Sequence, residues 1–230
     1  MRNLFCAALI ALIALPAAAE TPDRRISVSG QAVIETAPDM AIVRLGVTHK
    51  DKQATNALRK TSDAVAALMS RLSGLGVAKR DVQTSSLSLG PVWNTPEGGG
   101  PRVHWGYEAA NMITVRLRDI DTVGEALDAL VSDGANRLDS IRFALQDRQE
   151  AMDEARRRAV ANARHKAELL ADAAGVTLGD TVSISEGRGE RPSPERMAPT
   201  MMRSDSVPIA AGEVEIEASV SMVFGLTPPE

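Results

Sequence analysis

DRQEAMDEARRRAVANARHKAELLADAAG, Asp147 to Gly175, is the stretch whose reading decides the fold. Met152, Ala155, Ala159, Ala163, Ala167, Leu170 and Ala174 recur at steps of three and four, which lines them along one side of a helix. Both ends are marked. Asp147 is placed to cap the first turn, Glu150 to reach back to the cap's own N–H, and Gly175 to supply the left-handed residue that stops the last turn. At ~1.5 Å per residue the element is about 40 Å long. A face made of alanine lets a helix lie close to a sheet, so this one reads as a docking surface rather than a groove. On the outer side, Asp153 with Arg157 and Glu154 with Arg158 stand four apart with the acid first, so the Arg156–Arg158 run reads as a solvated face.

The flanking segments supply the sheet. Before the helix, β-branched runs at Arg25 to Thr36 and Met40 to Lys50 are separated by Ala37, Pro38 and Asp39, which predicts an antiparallel hairpin. Asp51 to Ser73 switches to helical period and ends at Gly74 and Gly76, and Val82 to Trp93 alternates again. Asn94 to Arg102 holds two prolines and Gly98, Gly99 and Gly100. No Lys-Ser or Lys-Thr follows and no helix opens there, so this is a loop rather than a phosphate cradle. A long strand from Val103 to Arg118, a helix from Ile120 to Asp133 and a strand from Leu138 to Leu145 lead into the long helix. Beyond it come a strand at Thr181 to Glu186, an irregular Met- and Pro-rich segment at 187–210, and a last strand from Glu213 to Phe224. Strand–helix–strand crossovers predict parallel neighbours, and the hairpin and last strand predict antiparallel ones. The expected class is α+β: two layers, a mixed β-sheet or sheets with long helices packed on one face.

Met1 to Ala19 has one basic residue, Arg2, an apolar run from Leu4 to Leu15, and Pro16 with three alanines before Glu20. That is the pattern of a cleaved secretory leader, and its apolar run is too short to span a bilayer. The expected mature chain is therefore exported and runs over 20–230, long enough for one compact domain or two small ones. Cys6, the sole cysteine, lies in the leader, so a mature chain has no thiol for catalysis, disulfides or Cys-based metal sites. Loss of Arg2 takes the net charge from −4 to −5. A mildly acidic chain without a concentrated basic face is not a nucleic-acid binder.

Candidate chemistry is sparse. His49, His104 and His165 are the only histidines and lie far apart in sequence; no G-x-S-x-G elbow is present. Met197, Met201 and Met202, in RMAPTMMR, are soft thioethers. They suit either Cu(I) and reversible oxidation or the covering of an adjacent sheet or subunit. Without a His or Cys beside them, covering is the preferred reading. Trp93, His104, Trp105 and Tyr107 flank the glycine loop and meet if the two strands pair across it. They then form either a grip for a sugar or protein partner or a set of cross-strand packing contacts. No cofactor is expected.

A family resemblance rests on GYEAANMITVRLRDIDTVGEALDALVSDGAN, Gly106 to Asn136, and EARRRAVANARHKAELLADAAGVTLGDTVSISE, Glu154 to Glu186. It extends to ISVSGQAVIETAPDMA, GVAKRDVQTSSLSLGPVW and GEVEIEASVSMVFGL. The chain resembles the SIMPL domain family of exported bacterial proteins, which includes periplasmic immunogenic proteins. The resemblance implies a periplasmic α+β protein with no assigned reaction and no catalytic residues to carry over. It also implies links to oxidative-stress tolerance, outer-membrane or envelope association, and large oligomers. The expected function is accordingly non-enzymatic, by binding or homo-oligomeric assembly. The competing readings are a hydrolase-like periplasmic enzyme and a methionine-based copper or oxidant scavenger. Assembly is also expected from the long strands Val103 to Arg118 and Glu213 to Phe224. Their length argues for exposed edges, with Val214, Ile216 and Ala218 needing cover.

Overall fold

The computed structural model describes residues 24–96, 98–187 and 209–228. Met1 to Ala19 lies outside them. In chain order the elements are β1 (Arg25–Thr36), β2 (Met40–Asp51), α1 (Ala54–Gly74), β3 (Val82–Asn94), β4 (Val103–Leu117), α2 (Val123–Ser132), β5 (Arg137–Ala144), α3 (Gln149–Ala173), β6 (Thr177–Glu186) and β7 (Val214–Thr227). They form two sheets, one of four strands in the order β3-β4-β2-β5 and one of three in the order β1-β7-β6.

The α+β class holds, with helices on one face of each sheet, but the expected parallel neighbours do not occur. Every strand pairing among the described residues is antiparallel. The crossovers are split: β2-α1-β3 and β4-α2-β5 each leave a gap one strand wide, and each gap is filled by a strand of the other unit. Nor do β1 and β2 form a hairpin. β1 pairs with β7 along its whole length, Arg25 opposite Gly225 through Thr36 opposite Val214, while β2 lies between β4 and β5. Ala37 to Asp39 is thus the place where the chain passes from one sheet to the other.

A polar network ties that passage down. Asp39 accepts the Gln146 N–H at 2.7 Å, and the Gln146 side-chain amide donates to the carbonyls of Asp39 and Arg118 at 3.3 and 3.1 Å. Arg118 donates to Gln146 Oε1 at 3.2 Å and grips buried Asp81 with two bonds of 2.8 Å. That bidentate bond holds the Asp81 carboxyl below its ordinary range despite its burial.

In the four-stranded half Ala41, Val43, Leu45 and Val47 of β2 and Ile113, Val115 and Leu117 of β4 face the helices. Val65, Leu68 and Leu72 of α1 and Leu127 and Leu130 of α2 fill the layer above them. In the three-stranded half the helix face is Ala155, Ala159, Ala163, Ala167 and Ala171, set on Ile216, Ala218, Val220, Met222 and Phe224 of β7 and Val28 of β1. The stripe thus keeps a strict four-residue step: Leu170, expected on it, is exposed, and Ala171 takes its place. Gly30 completes the fit. A Cβ there would stand 2.1 Å from the Ala159 carbonyl oxygen and 2.6 Å from the Ala163 nitrogen, so helix backbone meets strand backbone.

The ends of α3 follow the sequence reading in part. Gly175 adopts φ 68° and Asp147 accepts the Gln149 N–H at 2.8 Å, but the cap residue is Arg148, with no side-chain cap bond, in place of the expected capping box. On the outer side Glu154 meets both Arg157 and Arg158, while Asp153 pairs with Arg156 rather than Arg157.

β4 and β7 are the central strands of their sheets, paired on both sides. The expectation of exposed edges there is overturned. Each is long because it serves two partners, and Ile216 and Ala218 are covered by α3. The edges are β1 and β6 in one sheet and β3 and β5 in the other.

Candidate functional surface

β3 and β4 form a long hairpin, Val82 opposite Val115 and Asn94 opposite Val103, whose tip carries the glycines. A register shift between Val92 and Trp93 brings Trp93 opposite His104. Their ring centroids are 5.2 Å apart at 72°, and His104 meets Tyr107 edge-to-face at 5.0 Å, also at 72°. Three of the four aromatic-site residues expected from sequence therefore come together. Trp105 does not join them. Lys52 lies 4.3 Å from its ring centroid and donates to its carbonyl at 2.8 Å, which pins the β2–α1 corner to the hairpin. Gly106, opposite Val92, makes this corner possible, since a Cβ there would meet the Asp51 carbonyl oxygen at 2.5 Å.

The edge-to-face rings stand in an apolar neighbourhood that the sequence reading passed over. Leu87, Leu89, Trp93 and Val103 are 60, 47, 46 and 57% exposed. From Val82 to Pro96 no residue is charged, and this signal, visible in the sequence, marks the surface. Leu87 and Leu89 pair with Asn111 and Ala109, residues of the helix-covered face, but β3 is the edge strand and α1 leaves its leucines uncovered. Pro91 has no N–H to offer, and the two register shifts bend the strand. The β3 edge is thereby guarded against strand addition. What the hairpin offers a partner is its apolar face.

Two polar clusters elsewhere are internally satisfied, whereas the buried Thr48 Oγ1, His49 Nδ1 and Asn111 Oδ1 have no hydrogen-bond partner among the described residues. A depression lined by Ala67, Ser70, Arg71, Gly74 and Asp133 holds an Arg71–Asp133 ion pair. Asp51, at the foot of α1, accepts from Gln53 N–H at 3.0 Å and Lys60 at 2.8 Å, and the Lys60 bond leads in pulling its pKa down to about 2. His165 is exposed on α3, far along the chain from the rings of the hairpin. Met197, Met201 and Met202 lie outside the described residues. No described helix is long and apolar enough to cross a membrane.

Comparison with known proteins bears on the whole of this architecture. The family model SIMPL, described as a protein of unknown function (DUF541), matches residues 26–224. The chain belongs to the SIMPL family. The match begins and ends on one cross-strand pair, Ile26 opposite Phe224, so it takes in both sheets and all three α-helices of the described residues. Among SIMPL relatives, the 26 kDa periplasmic immunogenic protein of Brucella melitensis is 35% identical over 94% of this chain and 92% of its own length. Its Brucella abortus counterpart matches equally. The uncharacterized protein YggE of Escherichia coli K12 is 29% identical over 96% of this chain and 92% of its own.

Proposed function

We propose that this SIMPL protein is a non-enzymatic component of the periplasm that acts by binding at the cell envelope and by assembling with copies of itself. The observation that carries the binding reading is the hairpin: exposed Leu87, Leu89 and Val103 beside the edge-to-face rings of Trp93, His104 and Tyr107, on a stretch without charge. Exposed apolar surface of this kind marks interaction sites, and Trp and Tyr supply contact area at low entropic cost. The periplasmic setting is supported by the Brucella relatives' name and by the leader pattern of Met1 to Ala19. Assembly is supported by edge strands whose apolar side chains stay uncovered, Leu87 and Leu89 on β3 and Val182 and Ile184 on β6. A contribution to oxidative-stress tolerance is proposed on the family resemblance alone.

Cosedimentation with isolated cell-envelope membranes tests the hairpin. The wild-type chain is expected in the pellet. A Leu87→Ser/Leu89→Ser/Trp93→Ser variant with an unchanged far-ultraviolet circular dichroism spectrum is expected in the supernatant, and equal sedimentation rejects this surface. Turnover in a hydrolase and oxidoreductase screen that one substitution abolishes would overturn the non-enzymatic reading.

A further inference from the structure

The outward face of each sheet carries a patch of one charge sign, and the two patches are opposite in sign. On the four-stranded sheet Ala41 and Val43 point to the helices, so Ile42 points away from them. Its cross-strand partners are Arg116 on β4 and Arg142 on β5, and Arg44 follows two residues on along its own strand. Two strand spacings separate Arg116 from Arg142, about 10 Å. A half-buried isoleucine is thus ringed by three arginines; among the described residues only Arg44 forms an ion pair, with Asp139 at 3.5 Å, while Arg116 also acts at longer range on the Asp81 carboxylate.

The three-stranded sheet carries the inverse. Gly30 and Val28 face α3, so Val33 and Glu35 face outward. Val33 is 47% exposed and pairs with Glu217; Glu35 pairs with Glu215. Among the described residues none of these three glutamates has an ion-pair partner. Like charges directly opposite one another destabilise a sheet, so the Glu35–Glu215 pair costs the isolated chain something. Further along the same face the side chains are small: Ser29 and Ser221 stand opposite, their hydroxyls 3.3 Å apart.

We infer that the two patches are the halves of one self-association contact, in which Val33 and its glutamates on one copy meet Ile42 and its arginines on the next. The inference rests on the assembly reading above and names its surface. Each patch has an apolar centre inside a charged rim, the arrangement that excludes water around a contact, and the rims are opposite in sign. The occupant of each patch is therefore a second copy of this chain, whose own surface supplies the complementary charge.

Two charge-reversal variants of the full chain test it by sedimentation velocity, in 50 mM and 1 M NaCl. Wild type is expected to sediment as an oligomer that loses mass at high salt. Glu35→Lys/Glu217→Lys and Arg116→Glu/Arg142→Glu, all at exposed positions, are each expected to fall to the monomer. An equimolar mixture is expected to recover the oligomer, because every patch again finds its opposite. If wild type is oligomeric and both variants keep its mass, this surface is wrong while the assembly reading stands. A monomeric wild type at every concentration overturns both. Variants that dissociate but do not complement one another in the mixture overturn the second copy as occupant.

Discussion

In the four-stranded half, α1 meets its sheet through Val65, Leu68 and Leu72, side chains that hold the helix away from the strands and interlock with Leu45, Ile113 and Val115. In the three-stranded half, α3 meets its sheet through five alanines and the bare Cα of Gly30. The first contact is thick and is stabilised by apolar area, at about 25 cal/mol per Å². The second is thin, and its stability depends on how closely two backbones can approach. α3 also sits off-centre, on the β1 side. Asn162 accepts the Gln31 N–H at 3.3 Å and Lys166 donates to the Ser29 carbonyl at 2.9 Å, which occupies backbone groups of the β1 edge and leaves β6 less covered. Thick and thin interfaces should therefore fail to opposite kinds of substitution.

Adding volume should break the thin one. Gly30→Val places its first carbon within 2.1 Å of a backbone oxygen, and no rotamer can relieve that. The expected loss is at least about 3 kcal/mol, the upper end for overpacking, read as a drop in the urea midpoint. Removing volume should break the thick one. Leu68→Ala, at a fully buried position, is expected to cost about 3 kcal/mol through lost contact and the cavity left behind. Growing a residue at the same interface, Ala64→Val beside the core, should cost under about 1.5 kcal/mol, because Ala64 is only partly buried there. Comparable losses for Gly30→Val and Ala64→Val would erase the distinction between the two interfaces.

The contrast was half legible in the sequence. The alanine repeat at four-residue spacing announced a close-packed helix, and the strand boundaries followed from alternation to within a few residues. Pairing did not follow. Ala37-Pro38-Asp39 reads as a turn whether the strands on either side pair with each other or part to different sheets, and only tertiary contacts such as that of Asp39 with Gln146 separate the two cases. For the same reason the length of β4 suggested a free edge when it recorded two partners. Of the candidate surface, the meeting of Trp93, His104 and Tyr107 was anticipated from the loop between them. The separation of Trp105 depends on Lys52, some 50 residues earlier in the chain. The exposure of Leu87 and Leu89 depends on how far α1 reaches across its sheet, a distance that local periodicity does not carry.

Where the halves join, the expected effect is smaller. Asp81→Ala leaves Arg118 without its bidentate partner and loosens its hold on Gln146 and hence on Asp39. A fully buried pair broken in this way costs about 3–5 kcal/mol. Here Arg118 is half-exposed and water can solvate it, so about 2 kcal/mol is expected. If the network couples the sheets, hydrogen exchange should accelerate in both; acceleration confined to β3 and β4 would show two units that fold independently.

The smallest effect separates the halves by pH. Asp51 lies at the foot of α1, its carboxylate bonded by Lys60, Gln53 N–H and Asn56, and its pKa falls from an ordinary 3.8 to about 2. A carboxyl with a depressed folded pKa stabilises the native state above its unfolded pKa and loses that contribution as pH falls through the folded value. The stabilisation from Asp51 is thus fully present above pH 3.8 and gone below about pH 2. Asp51→Asn removes it at every pH, so the variant should melt below wild type at pH 5 and together with it near pH 2. The wild-type midpoint should fall the more steeply in between. Asp153 and Glu154 of α3 are also held low, chiefly by Gln149 and by Arg158, so the three-stranded half has an acid limb of its own that Asp51→Asn leaves untouched. Exchange protection of α1 and α3, followed separately between pH 5 and 2, should therefore show the variant's altered slope in α1 alone; an equal change in α3 would mean that the junction at Asp39 transmits the loss.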